Sequence, residues 1–439
     1  MTSVSSYPGL FGSLHLSSTD TTWLQGLVPT LVREHIESYE RHIQQDKRRL
    51  DQRRWKLVTK RENVRVFSEQ AMPRGSSGGG DGGGQGSASR TPRKNAAGAE
   101  VGAALADMPT LLLVGTIEGS LDDAMYGVLN PTVDSMRVKS SYVGDKFANC
   151  AVLATLERPT SRDPFRSLTL KWFEGDHPHI FRPIVRNRDF VFMEATGLAK
   201  LSSGEAIGYH VMHSVHFPEA RAIGSNIRAH MAVCGLYGQR SDGVVDVFTK
   251  TTANPGGHVA SAIAVKYASM ALASAQKLID CAHLKKLAWM VSRRMPSATG
   301  SGSGSTASST RSHHSFNSRD ANTARVCFTC GEGASYRRLS IPRYDVCTLC
   351  GRQMCSACKV TKELSFIDGN GGLMRHKMRF CQPCVSDAKH VSARAVACDE
   401  FATMRSEASA RSYNYTTRLA SPSASDPGVF TLRPSAFTS

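Results

Sequence analysis

Eight cysteines in the C-terminal part of this 439-residue chain fall into four Cys-x-x-Cys pairs: Cys327/Cys330, Cys347/Cys350, Cys355/Cys358 and Cys381/Cys384. The remaining four of the twelve, Cys150, Cys234, Cys281 and Cys398, are scattered. A Cys-x-x-Cys turn offers two thiolates at the bite that tetrahedral zinc needs, so four turns build two closed four-thiolate sites. A closed site keeps no position for water or substrate, which points to structural rather than catalytic metal. The Gly351–Met354 link is too short for the second and third pairs to share one ion comfortably. Spacing otherwise leaves two pairings open: in chain order, or interleaved as first with third and second with fourth.

The 15 histidines offer no comparable cluster. In YHVMHSVHF, read as a strand, His213 points opposite to His210 and His216, and those two stand about 20 Å apart at 3.3 Å per residue. His177 and His179 flank Pro178 in an expected loop. No Gly-x-Ser-x-Gly or His-Glu-x-x-His spacing occurs, and no Gly-Lys-Ser/Thr follows the glycine-rich run at 75–86. The sequence therefore nominates no catalytic residue.

Composition sets the surroundings. The formal charge is +17, and two four-thiolate zinc sites would lower it by only a few units. A basic chain suits anionic lipid head groups or nucleic acid. The opening MTSVSSYPGLFGSLHL lacks a basic leader followed by an unbroken apolar stretch. LLLV (111–114) and LAWMV (287–291) are far too short to span a bilayer. Clustered Cys pairs in such a chain read as metal ligands in a reducing, cytoplasmic setting.

The elements that must position these residues follow from periodicity. Val32, Ile36, Tyr39 and Ile43 place one apolar face on a helix over 30–54, which Pro29 opens or kinks. Residues 55–70 read as extended, and 73–100 as a disordered insertion. Between 109 and 256 short alternating segments such as TLLLVGTIEG, SLTLKWF, DFVFMEATG and GVVDVFTKT predict an antiparallel sheet, interrupted by a helix at LDDAMYGVL (121–129). A long helix from Gly257 to Val291 closes the segment, with Val259, Ile263, Tyr267, Met270, Ser274, Leu278 and Cys281 on the face expected to meet the sheet. Its small residues are expected to leave room for an apolar ligand. A Ser/Gly-rich linker (295–324), a cysteine module (325–390) and a disordered tail (402–439) complete an α+β chain.

WKLVTKRENVRVF, the VGTIEG…LDDAMYGVL step, RNRDFVF (186–192) and the closing helix, in that order, make residues 20–294 resemble a START-type lipid-binding domain. The resemblance implies a helix-grip fold, an antiparallel sheet around a long C-terminal helix, with a pocket for an apolar lipid.

CTLCGRQMCSAC (347–358) is similar to the Cys-x-x-Cys-Gly-x-x-x-Cys-x-x-Cys core of FYVE-type zinc fingers, and RFCQPC (379–384) resembles their terminal Arg-Val-Cys-x-x-Cys. This resemblance implies interleaved sites: Cys327, Cys330, Cys355 and Cys358 for a first Zn2+, and Cys347, Cys350, Cys381 and Cys384 for a second. The chain departs from that family where it reads phosphatidylinositol 3-phosphate. Positions 343–348 are RYDVCT rather than Arg-(Arg/Lys)-His-His-Cys-Arg, and no Trp-x-x-Asp precedes the first pair. Arg343 and Arg379 remain as weak contacts for an anionic lipid. ELSFIDGNGGLMRHKMRFC (363–381) reads as a hairpin turning at DGNGG.

The sequence thus reads as a non-enzymatic adaptor, lipid sensor or lipid-transfer protein at a membrane surface, peripheral on endosomal or other internal membranes. Its expected partners are an apolar lipid, two Zn2+ and an anionic membrane surface. Nucleic acid is not expected, because no aromatics interleave with Lys/Arg in the module to stack bases. The alternative is a scaffold whose finger binds a protein partner.

Overall fold

The computed structural model describes residues 16–70, 96–106, 108–145, 147–175, 186–241, 243–294, 326–331 and 345–403. Strands β1 (Trp55–Arg61), β2 (Val64–Glu69), β3 (Leu111–Glu118), β4 (Phe147–Glu157), β5 (Ser167–Gly175), β6 (Arg188–Lys200), β7 (Ala206–Ser214), β9 (His230–Ser241) and β10 (Val244–Asn254) form one sheet. Its order is β1-β2-β3-β10-β9-β7-β6-β5-β4, and every neighbouring pair is antiparallel. The short β8 (Ile227–Arg228) joins β6 in parallel.

Helices cover both faces, which is why β5 is buried almost throughout rather than on alternate residues. On the outer face lies α1 (Ser18–Gln44), whose Leu24, Leu31, Val32 and Tyr39 share a core with Leu170, Trp172, Leu236 and Phe248. This helix starts earlier than residue 30. A capping box between Ser17 and Asp20 opens it, and Pro29 lies inside it. The inner face carries α3 (Leu121–Val128), α5 (Ser261–Ala273) and α6 (Leu278–Arg294). Here α3 and α6 approach so closely that a Cβ on Gly127 would stand 2.2 Å from the Leu278 carbonyl oxygen. Only glycine fits. The result is an α+β, helix-grip arrangement of antiparallel sheet around a C-terminal helix.

The closing helix is not continuous. A 3-10 turn, Ser274–Lys277, separates α5 from α6. At about three residues per turn it shifts the phase, so a face extrapolated back from Leu278 and Cys281 misses α5. Ile263, Tyr267 and Met270 are therefore 52, 63 and 44 % exposed, while Ser269 and Ala273 are buried toward the sheet. Two further helices lie outside the sequence-based expectation. In α2 (Ala96–Leu105) the Ala-rich chain takes its high helix propensity into the last residues of the expected insertion. In α4 (Val133–Val143) a Thr132/Ser135 capping box opens the helix and Gly144 in left-handed conformation ends it. The rest of the insertion, 73–95, and the expected linker, 295–324, lie outside the described residues.

The cysteine module contains β11 (Asp345–Val346), β12 (Gln353–Met354), the hairpin β13 (Lys359–Ile367) and β14 (Leu373–Cys381), and α7 (Gln382–His390). In the hairpin turn Asp368 Oδ1 accepts from the Asn370 and Gly372 amides, and Gly371 adopts φ 77°. A last helix, α8, occupies 393–403, so the first two residues of the expected tail are helical. The module does not stand apart. Leu287, Ala288 and Val291 of α6 join Leu349, Met354, Leu364 and Phe380 in one core, while Leu278, Ile279, Cys281 and Ala282 of the same helix join the sheet core.

Candidate functional sites: a helix-covered cleft and two cysteine clusters

Beneath α5 the inner face of the sheet opens as a narrow cleft of about 10 Å³, bounded by Met108, Pro109, Leu111, Ala253, Ser261, Ala264, Val265 and Ala268. Lipid-sized ligands need roughly 300–1,000 Å³. The cleft as closed is too small for one, and its roof is lightly buried. Among the 13 residues of α5 only Ser269 and Ala273 are buried, and no side chain caps its N-terminus. The hydroxyls of Ser269 and Thr59 meet at 2.8 Å.

Deeper on the inner face a charged set is sealed in. Lys171 on β5, Glu194 on β6 and His210 on β7 are 1, 2 and 7 % exposed. Lys171 Nζ donates to Asn130 O at 2.7 Å and Asn130 Oδ1 at 2.9 Å, and pairs with Glu194 Oε2. His210 Nε2 lies 2.6 Å from Glu194 Oε1. Burial opposes a charge on Glu194, but Lys171 and His210 outweigh it and hold the carboxyl far below the usual carboxylate range. Burial pushes Lys171 and His210 down, against the pull of Glu194. The sequence carried the signal: Lys171 within SLTLKWF and Glu194 within DFVFMEATG each stand between apolar residues of a strand. His213 lies on the opposite side of β7 and close enough to His35 of α1 to feel its charge, so the three histidines of YHVMHSVHF do not converge.

In the module the thiols gather into two sets, Cys327, Cys330, Cys355 and Cys358, and Cys347, Cys350, Cys381 and Cys384. Within each set the sulfurs lie within 4.8 Å of one another. A Zn–S bond of about 2.3 Å sets the S···S edge of a tetrahedron at about 3.8 Å. Cys330 and Cys355 stand at 3.9 Å, and Cys350 and Cys381 at 3.7 Å. Both sets therefore fit a tetrahedral thiolate-bound metal ion. The tight turns of the first two Cys-x-x-Cys pairs close with backbone bonds, Gly331 N to Cys327 O and Gly351 N to Cys347 O, both 2.9 Å, and each of these glycines has φ just above 70°. The Cys381 amide donates to Cys347 Sγ at 3.3 Å.

Of the two arginines expected at a lipid surface, Arg343 lies outside the described residues. Arg379 is engaged within the protein, its Nη1 2.8 Å from Asp345 Oδ1.

No protein-family model matches the chain, and no curated protein matches it in sequence. Among solved structures it is similar to human STARD10, with 12 % identity and a TM-score of 0.35 over 62 % of this chain and 83 % of that one. It is likewise similar to the human StarD13 (DLC2) lipid transfer and protein localization domain, at 13 % identity and TM-score 0.33 over 61 % of this chain and 98 % of that one. Human StAR-related lipid transfer protein 5 gives 12 % and 0.34 over 57 % of this chain and 97 % of that one. The helix-grip description rests on the strand order and closing helix given above.

Proposed function

We propose that this chain is a non-enzymatic lipid-binding protein, with a START-like domain that takes an apolar lipid beneath α5 and a FYVE-like finger that holds two structural zinc ions. The observation that carries the lipid reading is α5 itself. It roofs a narrow cleft to which it contributes Ser261, Ala264, Val265 and Ala268, buries only Ser269 and Ala273 fully, and turns Ile263, Tyr267 and Met270 outward. Lifting such a helix about the 274–277 turn enlarges the cleft without breaking α6. Its outward face has no acidic residue and one lysine, Lys266, which suits contact with an anionic membrane surface.

The Lys171–Glu194–His210 set supports a framework role rather than catalysis, because its members satisfy one another out of reach of solvent. Work as a sensor, adaptor or transfer protein follows from a lipid-loaded domain joined to a metal-bound one. Among the described residues no helix is long and apolar enough to cross a membrane.

The test is organic extraction of the purified full chain followed by mass spectrometry, with metal analysis of the same sample. One lipid and two zinc ions per chain are expected. A chain that carries no lipid, and takes none from vesicles, overturns the lipid reading in favour of a protein-binding scaffold.

A further inference from the structure

The post-finger chain returns to the sheet domain, and one lysine ties the pieces together. Lys286 on α6 has no exposed surface. Its Nζ lies 2.8 Å from Asp123 Oδ1 on α3, 2.6 Å from Lys389 O and 3.0 Å from Val391 O. Those two carbonyls end α7, where unpaired C=O groups and the helix dipole favour a cation. At its other end α7 begins with Cys381 as its N-cap residue and contains Cys384, both members of the second cysteine set. One line of contacts thus runs from the second metal site through α7 and Lys286 to Asp123 and the inner core.

Other contacts cross the same boundary. Asp399 on α8 accepts from Trp289 Nε1 at 2.7 Å and from Arg293 Nε at 3.0 Å, both on α6. Val396 and Ala397 of α8, neither exposed, lie in the sheet core with Tyr126, Val128 and Leu278. On the far side the Ser365 amide of the finger hairpin donates to Tyr142 Oη at 2.8 Å, and the Ser141 and Ser365 hydroxyls meet at 2.8 Å.

From this arrangement we infer that the cysteine module is a metal-dependent clamp on α6, so that metal loading sets the stability of the lipid-binding sheet as well as that of the finger. The inference rests on the metal sites of the proposed function and not on the lipid. The module has little core without its metal ions, and α7, at nine residues with no side-chain cap, is too short to persist alone. When α7 melts, Lys286 keeps its burial beside Asp123 but loses two acceptors. Leu287, Ala288 and Val291 lose their cover at the same time. The two sets differ in their reach into this boundary. The second contributes two buried cysteines, Cys347 and Cys381, to the core shared with α6, and the first contributes one, Cys327, beside the exposed Cys330.

The experiment uses the full chain, with its metal content measured first. Hydrogen exchange and thermal unfolding are then followed before chelation, after chelation, and after zinc is returned. Stripping is expected to speed amide exchange in α3 and α6 at least tenfold and to lower the sheet's Tm by roughly 5 °C or more, both reversed by zinc. Val396→Asp, which unseats α8 without touching a thiol, is expected to shrink the drop in Tm on stripping. A native chain that holds no metal overturns the metal reading, and this inference with it. A chain that holds metal, but whose α3, α6 and sheet keep their protection when the finger loses its own, overturns the clamp alone.

Discussion

Asp345 holds Arg379: its Oδ1 lies 2.8 Å from Arg379 Nη1, and its Oδ2 lies 2.7 Å from Lys359 Nζ. A carboxylate between two cations takes the charge-assisted bonds that a phosphate oxygen would take. The charge of Asp345 is thus matched by two cations within the cysteine module itself. Asp345→Asn is expected to free both cations and raise binding of the full chain to anionic vesicles roughly tenfold at low salt. The gain should shrink at high salt, because exposed charges are screened. Vesicle sedimentation at two ionic strengths measures it; equal binding by both proteins would place Arg379 away from the membrane.

Most of this architecture is legible in the sequence where one period governs a segment. The alternation in SLTLKWF and GVVDVFTKT gives β5 and β10, and Val32, Ile36, Tyr39 and Ile43 give the buried face of α1. Legibility fails where the period changes without a proline or glycine to mark it. The 3-10 turn at 274–277 breaks the closing helix inside an Ala-rich run, and the seven-residue face divides between an exposed half and a buried half. The docking of the finger is not legible either. Lys285 and Lys286 look like solvated charges in sequence, yet both are buried and bonded to backbone carbonyls. The partners that make this possible come from residues about 100 or more positions away. For α8 a signal was present: Ala393, Val396, Ala397 and Phe401 keep helical spacing and all meet the inner core.

The cleft makes a prediction about size. Ala264 and Ala268 supply two of its walls, and neither fills it. Ala268→Trp should occupy the space beneath α5 and lower the lipid recovered by extraction severalfold, at a cost in stability of about 1–3 kcal/mol from overpacking. Ala262→Trp, on an exposed position of the same helix, controls for the added bulk. Lipid recovery that falls equally in both variants would mean that the site is elsewhere.

Lys171 and Glu194 make a prediction about pairs. Each is almost fully buried, so removing one partner leaves a charge with no solvent to take it. Glu194→Gln should cost about 3–5 kcal/mol in urea unfolding, because Lys171 and His210 both lose their acceptor anion. The double variant Lys171→Met/Glu194→Met removes both charges and should recover a large part of that loss. A single variant as stable as the parent would mean that water reaches the pair.

Acid should destabilise the outer face before it reaches the carboxylates. Burial lowers His35 and His213 from 6.5 to about 4, and Lys250 pushes His35 further the same way. His42, His210 and His230 shift in the same direction, again chiefly by burial. The fold therefore requires neutral imidazoles, while the unfolded chain takes up protons as pH falls below about 6.5. The stabilisation is fully present above that value and is lost progressively between pH 6.5 and about 4. Down to pH 5.5 the loss is about 1 kcal/mol for each of His35 and His213, more as the others contribute. Glu194, whose pKa is depressed, begins to lose its contribution only as pH falls toward the ordinary carboxylate value, while Asp145 and Glu400, raised by burial, act in the opposite sense on protonation, so a histidine variant assigns the drop. Urea unfolding at pH 7.0 and 5.5 should show the drop, and His213→Gln should flatten it. Equal stability at the two pH values would mean that these rings accept protons without leaving their places beneath α1.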